Sequence, residues 1–203
     1  MTGRVIGSAV VALLLALAGC SRPTASRSGE SAAAVPGTGA SAGGSASATA
    51  SAGAAPASPD DLLGKPAPDF TATAQDGTTV HIAALKGKPV VVYFYPKDET
   101  PGCTKEACSF RDGWKSLAAT GAALVGVSAD DLESHRAFVA HYHLPFLLVS
   151  DPDGTLGAKY GVPFHGVHAR QTFIIGADGV VKKIYRHVDV TTHADQVLSD
   201  LKT

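Results

Sequence analysis

Six consecutive apolar and aromatic residues, Val90-Val-Val-Tyr-Phe-Tyr95, stop at Pro96. A continuous run of β-formers, with no polar residue in alternation, fits a strand covered on both faces, and that demands packing layers above and below it. A short polar loop comes next, and Pro101-Gly-Cys103 opens a segment that reads as a helix to about Ala119, kinked at Gly113 and closed at Gly121. Ala122-Ala-Leu-Val-Gly-Val-Ser128 is the next strand. Strand, helix and strand at this spacing make a right-handed parallel crossover.

The same signals give the other elements. Asp69–Thr73 and Thr78–Ile82 flank Asp76-Gly77 as an early hairpin. Asp130 or Asp131 caps a helix through His143, with Leu132, Phe138, Val139 and Tyr142 on its apolar side. Phe146–Ser150 is a strand ended by the turn Asp151-Pro-Asp-Gly154, and Thr155–Tyr160 is a short helix. Thr172–Ile175 and Val180–Arg186 form a second hairpin around Ala177-Asp-Gly179. Ala194, Val197, Leu198 and Leu201 recur at i, i+3, i+4 and i+7, which closes the domain with an amphipathic helix. The expected fold is α/β of thioredoxin-like type, a central mixed sheet flanked by helices, over residues 59–203.

In an open α/β sheet, sites lie beyond the carboxyl ends of the strands, where Pro96 to Cys103 falls. A thiol of ordinary pKa near 8.5 is mostly protonated at neutral pH. Free N–H groups and the positive dipole end in a helix's first turn favour the anion. Thr100, three residues before Cys103, offers a hydroxyl to the sulfur or to an incoming oxygen. Arg170, immediately before the strand at Thr172, is the candidate fixed cation, since a planar guanidinium can hold sulfur and oxygen together.

The chain's 203 residues and net charge of −1 leave no basic excess for gripping nucleic acid. Three cysteines are too few for a disulfide scaffold. Inert packing of Cys103 and Cys108 is one bland reading. Metal ligation with histidines such as His141 and His143 is another, although a four-residue gap is wide for a structural zinc site. A copper-carrying or thiol–disulfide exchange domain would favour a tighter cysteine pair, and a scaffold lipoprotein would need no such site at all. His141 and His143 read as solvated at a helix end, His165 and His168 as loop-borne near the site without a required role, and Trp114 as packing. The acidic residues are scattered and suggest no paired-carboxylate chemistry.

The amino terminus has a separate logic. Arg4 precedes an apolar run from Val5 to Ala18, too short for a comfortable membrane span, which ends Leu17-Ala-Gly-Cys20. The ending resembles the lipobox of bacterial lipoproteins. That resemblance implies a signal peptide over 1–19, lipidation of the Cys20 sulfur and an extracytoplasmic protein held at a membrane of the cell envelope. Residues 21–58 contain 13 Ala, 9 Ser and 6 Gly and no aromatic residue, too little apolar bulk to offset chain entropy, so 20–58 reads as a disordered tether. As a flexible coil it would reach ~35 Å on average.

Pro96-x-x-x-Thr100-x-x-Cys103 is similar to the active-site motif of peroxiredoxins, and the string YFYPKDETPGCTKEACSFRD resembles the peroxiredoxin Q group, also called the bacterioferritin comigratory protein group. Gly64-Lys-Pro-Ala-Pro-Asp-Phe70, Gly126-Val-Ser-Ala-Asp130, Leu144-Pro-Phe146, Ser150-Asp-Pro-Asp-Gly154 and Arg170-x-Thr-Phe-Ile-Ile175 extend the likeness through residues 62–203. One departure is that Gly166-Val-His-Ala-Arg170 is a residue longer than the usual approach to the arginine. The resemblance implies a thiol peroxidase without metal, haem or flavin, acting on hydrogen peroxide or organic hydroperoxides as a monomer or weak dimer. Cys103 would be the peroxidatic cysteine, Thr100 and Arg170 would orient the peroxide, and Pro96 would shield the sulfenic acid. Cys108 would be the resolving cysteine, and a thioredoxin-like protein would reduce the resulting disulfide. On an ideal helix, residues five apart have Cα atoms about 8–9 Å apart and point about 140° from one another. A disulfide needs Cα atoms within about 7 Å, so the helix must unwind for the two cysteines to bond.

Overall fold

The computed structural model describes residues 58–203. The expected signal peptide, Cys20 and the tether through residue 57 lie outside them, and Ser58, expected as the tether's last residue, instead caps a 3-10 turn at Pro59–Leu62. The chain then runs β1 (Thr71–Thr73), β2 (Thr79–His81), β3 (Val90–Phe94), α1 (Pro101–Asp112), α2 (Trp114–Ala119), β4 (Ala123–Ser128), α3 (Leu132–Tyr142), β5 (Leu147–Ser150), α4 (Thr155–Lys159), β6 (Gln171–Ile175), β7 (Val181–Tyr185) and α5 (His193–Asp200).

The apolar run forms the middle of a five-stranded sheet in the order β5-β4-β3-β6-β7. Every residue of β3 is buried. Its alternation divides the core. Val90, Val92 and Phe94 join Phe70, Val80, Tyr160 and Phe173 on one face. Val91, Tyr93 and Tyr95 join Cys103, Phe110, Phe138 and Val197 on the other, where α1, α3 and α5 pack. A strand with no polar position is thus clothed on both sides by apolar layers.

β3, β4 and β5 are parallel, while β6 runs antiparallel to both β3 and β7. The antiparallel β3/β6 pair sets Phe94, at the end of β3, opposite Gln171, at the start of β6. The loop that leaves β3 toward α1 and the residue that enters β6 are therefore delivered to the same end of the sheet.

The expected helix 103–119 is two helices. Gly113 separates them, donating its N–H to Ser109 O (3.0 Å) while its own carbonyl accepts from Leu117 (3.1 Å). β1 and β2 form the expected hairpin as a separate two-stranded sheet. It leans on the free edge of β5 through an Ala74–Val149 bridge, and Gln75 accepts from Leu148 N (2.7 Å) and donates to Phe146 O (3.3 Å). Backbone polar groups that an edge strand would leave open are occupied in this way. Gly126 lies between Tyr93 and Leu148 in the register, and a Cβ there would come within 2.8 Å of the Tyr93 ring and 2.6 Å of Leu148. That opening lets Tyr93 lie against Tyr95 and Phe110, with ring centroids 5.3 Å apart in each pair.

Candidate active site

Thr100 is the extended N-cap of α1, Pro101 fills its first position and Cys103 its third. The first intrahelical bond runs from Thr104 N to Thr100 O (2.8 Å), so the N–H groups of Gly102 and Cys103 precede the helical ladder. Cys103 is a free thiol, 2% exposed. Arg170, carried to this end of the sheet just ahead of β6, donates from Nη2 to Cys103 Sγ at 3.0 Å. Its Nη1 donates to Glu106, so the guanidinium fork spans two residues of α1 one turn apart. The extra residue in the approach to Arg170 does not displace it from the sulfur.

Thr100 donates its hydroxyl proton to Lys97 O (2.9 Å) and not to the sulfur, which leaves its lone pairs as acceptors. Pro96 is half-buried just after Tyr95. Cys108 is a free thiol, partly exposed, five residues along α1 from Cys103. The two cysteines therefore sit on one unbroken helix, in the arrangement that helical geometry bars from bonding. His141 is exposed, 3.1 Å from Glu99 Oε1, and Trp114 packs on Phe146. His165 is exposed as expected, whereas His168 is enclosed. It lies among Phe94 and Phe164 with Nε2 3.1 Å from Asp151 Oδ2, beneath the loop that delivers Arg170. Among the described residues, no group of three or more His, Cys, Asp or Glu is placed to hold a metal ion.

Three of the scattered acidic residues, assigned no role from the sequence, are buried: Asp98, Glu106 and Asp151. Each meets an imidazole or guanidinium and not another carboxylate. Glu106 lies on the stripe Cys103, Glu106, Ala107, Phe110, the buried face of α1, so its spacing was a signal that it turns inward. Burial pushes its carboxyl up to about 7 although Arg170 pulls the other way. Its second oxygen has no hydrogen-bond partner and faces His193 Nε2 at 3.7 Å. His193, in the first turn of α5, also contacts Thr172 Oγ1 at 2.9 Å. Burial, with Arg170 adding to it, drives this imidazole down to about 4, so it is neutral at neutral pH. Sulfur, guanidinium, carboxylate and imidazole thus form one line from the first turn of α1 to α5. Such a line fixes a cation beside a nucleophile at the mouth of a dry, apolar layer.

Comparison with known proteins agrees with this geometry. Residues 63–184 match the family model described as AhpC/TSA family. Peroxiredoxin Q, chloroplastic, from Populus jackii is 46% identical over 144 residues, which is 69% of this chain and 68% of the relative. The crystal structure of peroxidoxin BcpB from Mycobacterium tuberculosis superposes with a TM-score of 0.64 at 36% identity, covering 70% of this chain and 96% of that one. The bacterioferritin comigratory protein of Xanthomonas campestris, studied for its alkyl peroxide reduction activity, gives a TM-score of 0.62 at 36% identity, over 66% of this chain and 90% of that one. A nucleophile-bearing helix start, an arginine on its sulfur and these likenesses along most of the described chain lead to one conclusion: the protein belongs to the AhpC/TSA family, in its peroxiredoxin Q and bacterioferritin comigratory protein group.

Proposed function

We propose that this protein is a membrane-tethered thiol peroxidase in which Cys103 attacks the peroxide and Cys108 resolves the product. The observation that carries the reading is the 3.0 Å bond from Arg170 Nη2 to Cys103 Sγ at the open end of α1. The sulfur, as thiolate, attacks one peroxide oxygen. The O–O bond breaks, Cys103 becomes a sulfenic acid, and the other oxygen leaves as hydroxide or alkoxide that takes up a proton. The unspent N–H groups of Arg170, Gly102 and Cys103 are donors for the charge growing on the leaving oxygen. Thr100 Oγ1, its proton committed to Lys97, accepts from the peroxide O–H. Pro96 walls the sulfenic acid from water.

The Cys108 thiol then displaces water from the sulfenic acid to give the Cys103–Cys108 disulfide. A thioredoxin-like dithiol returns both cysteines to thiols and is itself oxidised. One hydroperoxide and one reductant dithiol are consumed for one alcohol, or water, plus one water. The alkyl peroxide chemistry of the Xanthomonas relative makes organic hydroperoxides a natural substrate class beside hydrogen peroxide. The Leu17-Ala-Gly-Cys20 ending supports lipidation at Cys20, an envelope location and a working domain held off the bilayer by residues 21–58. Each buried acyl CH₂ would add ~0.8 kcal/mol to the anchoring. The catalytic domain acts as a monomer or weak dimer.

The test mixes the reduced domain from about Pro59 with one equivalent of hydrogen peroxide and tracks free thiols and intact mass. Wild type should lose two thiols and two mass units, Cys103→Ser should be inert, and Cys108→Ser should stop at the sulfenic or sulfinic acid. Thiols indifferent to peroxide would refute the peroxidase. For the anchor, Cys20→Ala in the full chain should abolish incorporation of labelled fatty acid and release the protein from membranes. Membrane retention without label would refute lipidation.

A further inference from the structure

The loop Pro96–Thr100 joins the end of β3 to the helix that carries both cysteines. Four of its five residues are exposed or half-exposed, and one, Asp98, is buried at 4% exposure. Three donors converge on its carboxylate. Tyr95 Oη reaches Oδ1 at 2.7 Å, Ser134 Oγ reaches Oδ2 at 2.8 Å, and His135 Nδ1 lies 2.8 Å from Oδ2. Its own N–H donates to Asp130 Oδ2 (2.9 Å), which is held in turn by Ser128 Oγ (2.7 Å). Ser134 and His135 belong to the first turn of α3, and His135 is wholly buried. Burial alone would raise the Asp98 carboxyl, but its contacts with His135, Tyr95 and Ser134 outweigh that and hold it below the ordinary carboxylate value. A carboxylate so satisfied is a firm attachment, because moving it strands several buried polar groups at once.

The residue directly after this attachment is held only at the surface, by an exposed contact with His141 (3.1 Å). Glu99 has φ +59°, the left-handed region that a residue with a side chain occupies at a cost, and it is exposed. Thr100, Pro101 and Gly102 then lead to Cys103. Conformational slack thus begins one residue beyond the fixed point, and leaving the left-handed region favours opening at Glu99.

We propose that Asp98, held by His135 and Ser134, is the pin that stops redox unwinding of α1 from spreading upstream, so that the opening which joins Cys103 to Cys108 begins at Glu99. The inference rests on the proposed disulfide cycle and adds a positioning role for three residues that touch neither peroxide nor sulfur. Pinned at Asp98, the loop keeps its attachment through the opening, and the helix re-forms from a fixed start after reduction. The partners of Asp98 come from Tyr95 just past β3, from α3 and from the turn before α3, and none comes from α1, so unwinding α1 breaks none of them.

The test is amide hydrogen exchange on the soluble domain in its dithiol and disulfide forms, the disulfide being made with a thiol oxidant so that peroxide reactivity is not needed. Wild type in the disulfide form should lose protection from residue 99 through the cysteine pair, with 95–98 and 134–135 unchanged. In His135→Leu and Ser134→Ala the loss should extend to 95–98 by at least tenfold in the disulfide form. His135→Asn, which keeps a donor near the Nδ1 position, should restore the boundary. A merely structural role would raise exchange across the whole domain in both redox forms. Protection lost at Asp98 in oxidised wild type, or a boundary unmoved in both His135→Leu and Ser134→Ala, overturns the pin and leaves the peroxidase standing. Failure of Cys103 and Cys108 to pair under the oxidant overturns the disulfide cycle and the pin together.

Discussion

Replacing Gly102 by Ala tests whether opening of α1 controls the second chemical step. Gly102 is the second residue of α1 and has no positive φ, so Ala can take its backbone conformation without strain. The added Cβ would meet only Arg170 Nη2, at 3.5 Å, an ordinary contact. Glycine in a helix is less favourable than alanine by about 0.5–1 kcal/mol, so the substitution should stabilise the closed helix by about that amount. If the helix must open before Cys108 can reach the sulfenic acid, disulfide formation slows roughly 2–5-fold, since 1.4 kcal/mol corresponds to a factor of ten. Attack on peroxide needs the closed helix and should keep its rate. Rapid mixing with peroxide separates the two events, with thiols counted at quenched times and Trp114, at the junction of α1 and α2, as a fluorescent reporter. Because a second peroxide competes with Cys108 for the sulfenic acid, over-oxidation at excess peroxide should rise by the same factor. A variant that forms its disulfide at the wild-type rate, with unchanged peroxide attack, refutes opening as the control. A changed first phase would instead report a displaced Arg170.

Three further outcomes rest on the same geometry. Arg170→Lys replaces a fork that reaches both Cys103 and Glu106 with a single ammonium, so peroxide attack should fall about 10²-fold, read as the rate of first-thiol loss. Gly126→Ala drives a Cβ against Tyr93 and Leu148, so the urea midpoint should drop by the equivalent of about 1–3 kcal/mol. Glu106, raised to about 7, contributes stability that is complete below its unfolded value and fades as pH climbs to 7, while His193, lowered to about 4, adds stability as pH climbs from 4 to its unfolded value of 6.5. The two slopes oppose one another between about pH 4.5 and 6.5, so wild type should be nearly flat there, whereas Glu106→Gln should gain up to about 1.4 kcal/mol per pH unit; a flat urea midpoint in that variant would refute the assignment.

The sequence made some of this architecture legible and concealed the rest for one physical reason. The Val90–Tyr95 run, the hairpin at Asp76-Gly77 and the helix start at Pro101 are written in residues within a turn or two of each other, and all three form. The break at Gly113 was visible as a kink, but that it separates two helices depends on how each half packs. Arg170 could be read as preceding a strand. That this strand lies antiparallel beside β3, which alone brings the guanidinium to Cys103, is a property of the sheet and not of the segment. Asp98 shows the limit most clearly. In Lys97-Asp-Glu99 nothing local distinguishes the inward residue from its neighbours, and the His135 that holds it is 37 positions away. Glu106 and Arg170 are separated by 64 positions. A buried charge is tolerated only where a partner meets it, usually from another element. Polar residues that a local reading sends to solvent are therefore the ones whose inward placement only the folded chain reveals. Here two of them, Asp98 and Glu106, flank the cysteine whose helix has to open. One is tied to α3 and the other, through Arg170, to the start of β6. Opening α1 must therefore break the Glu106–Arg170 pair, held from outside the helix, while the Asp98 contacts survive it, and Gly102→Ala measures the separate part set by the propensity of the helix's own residues.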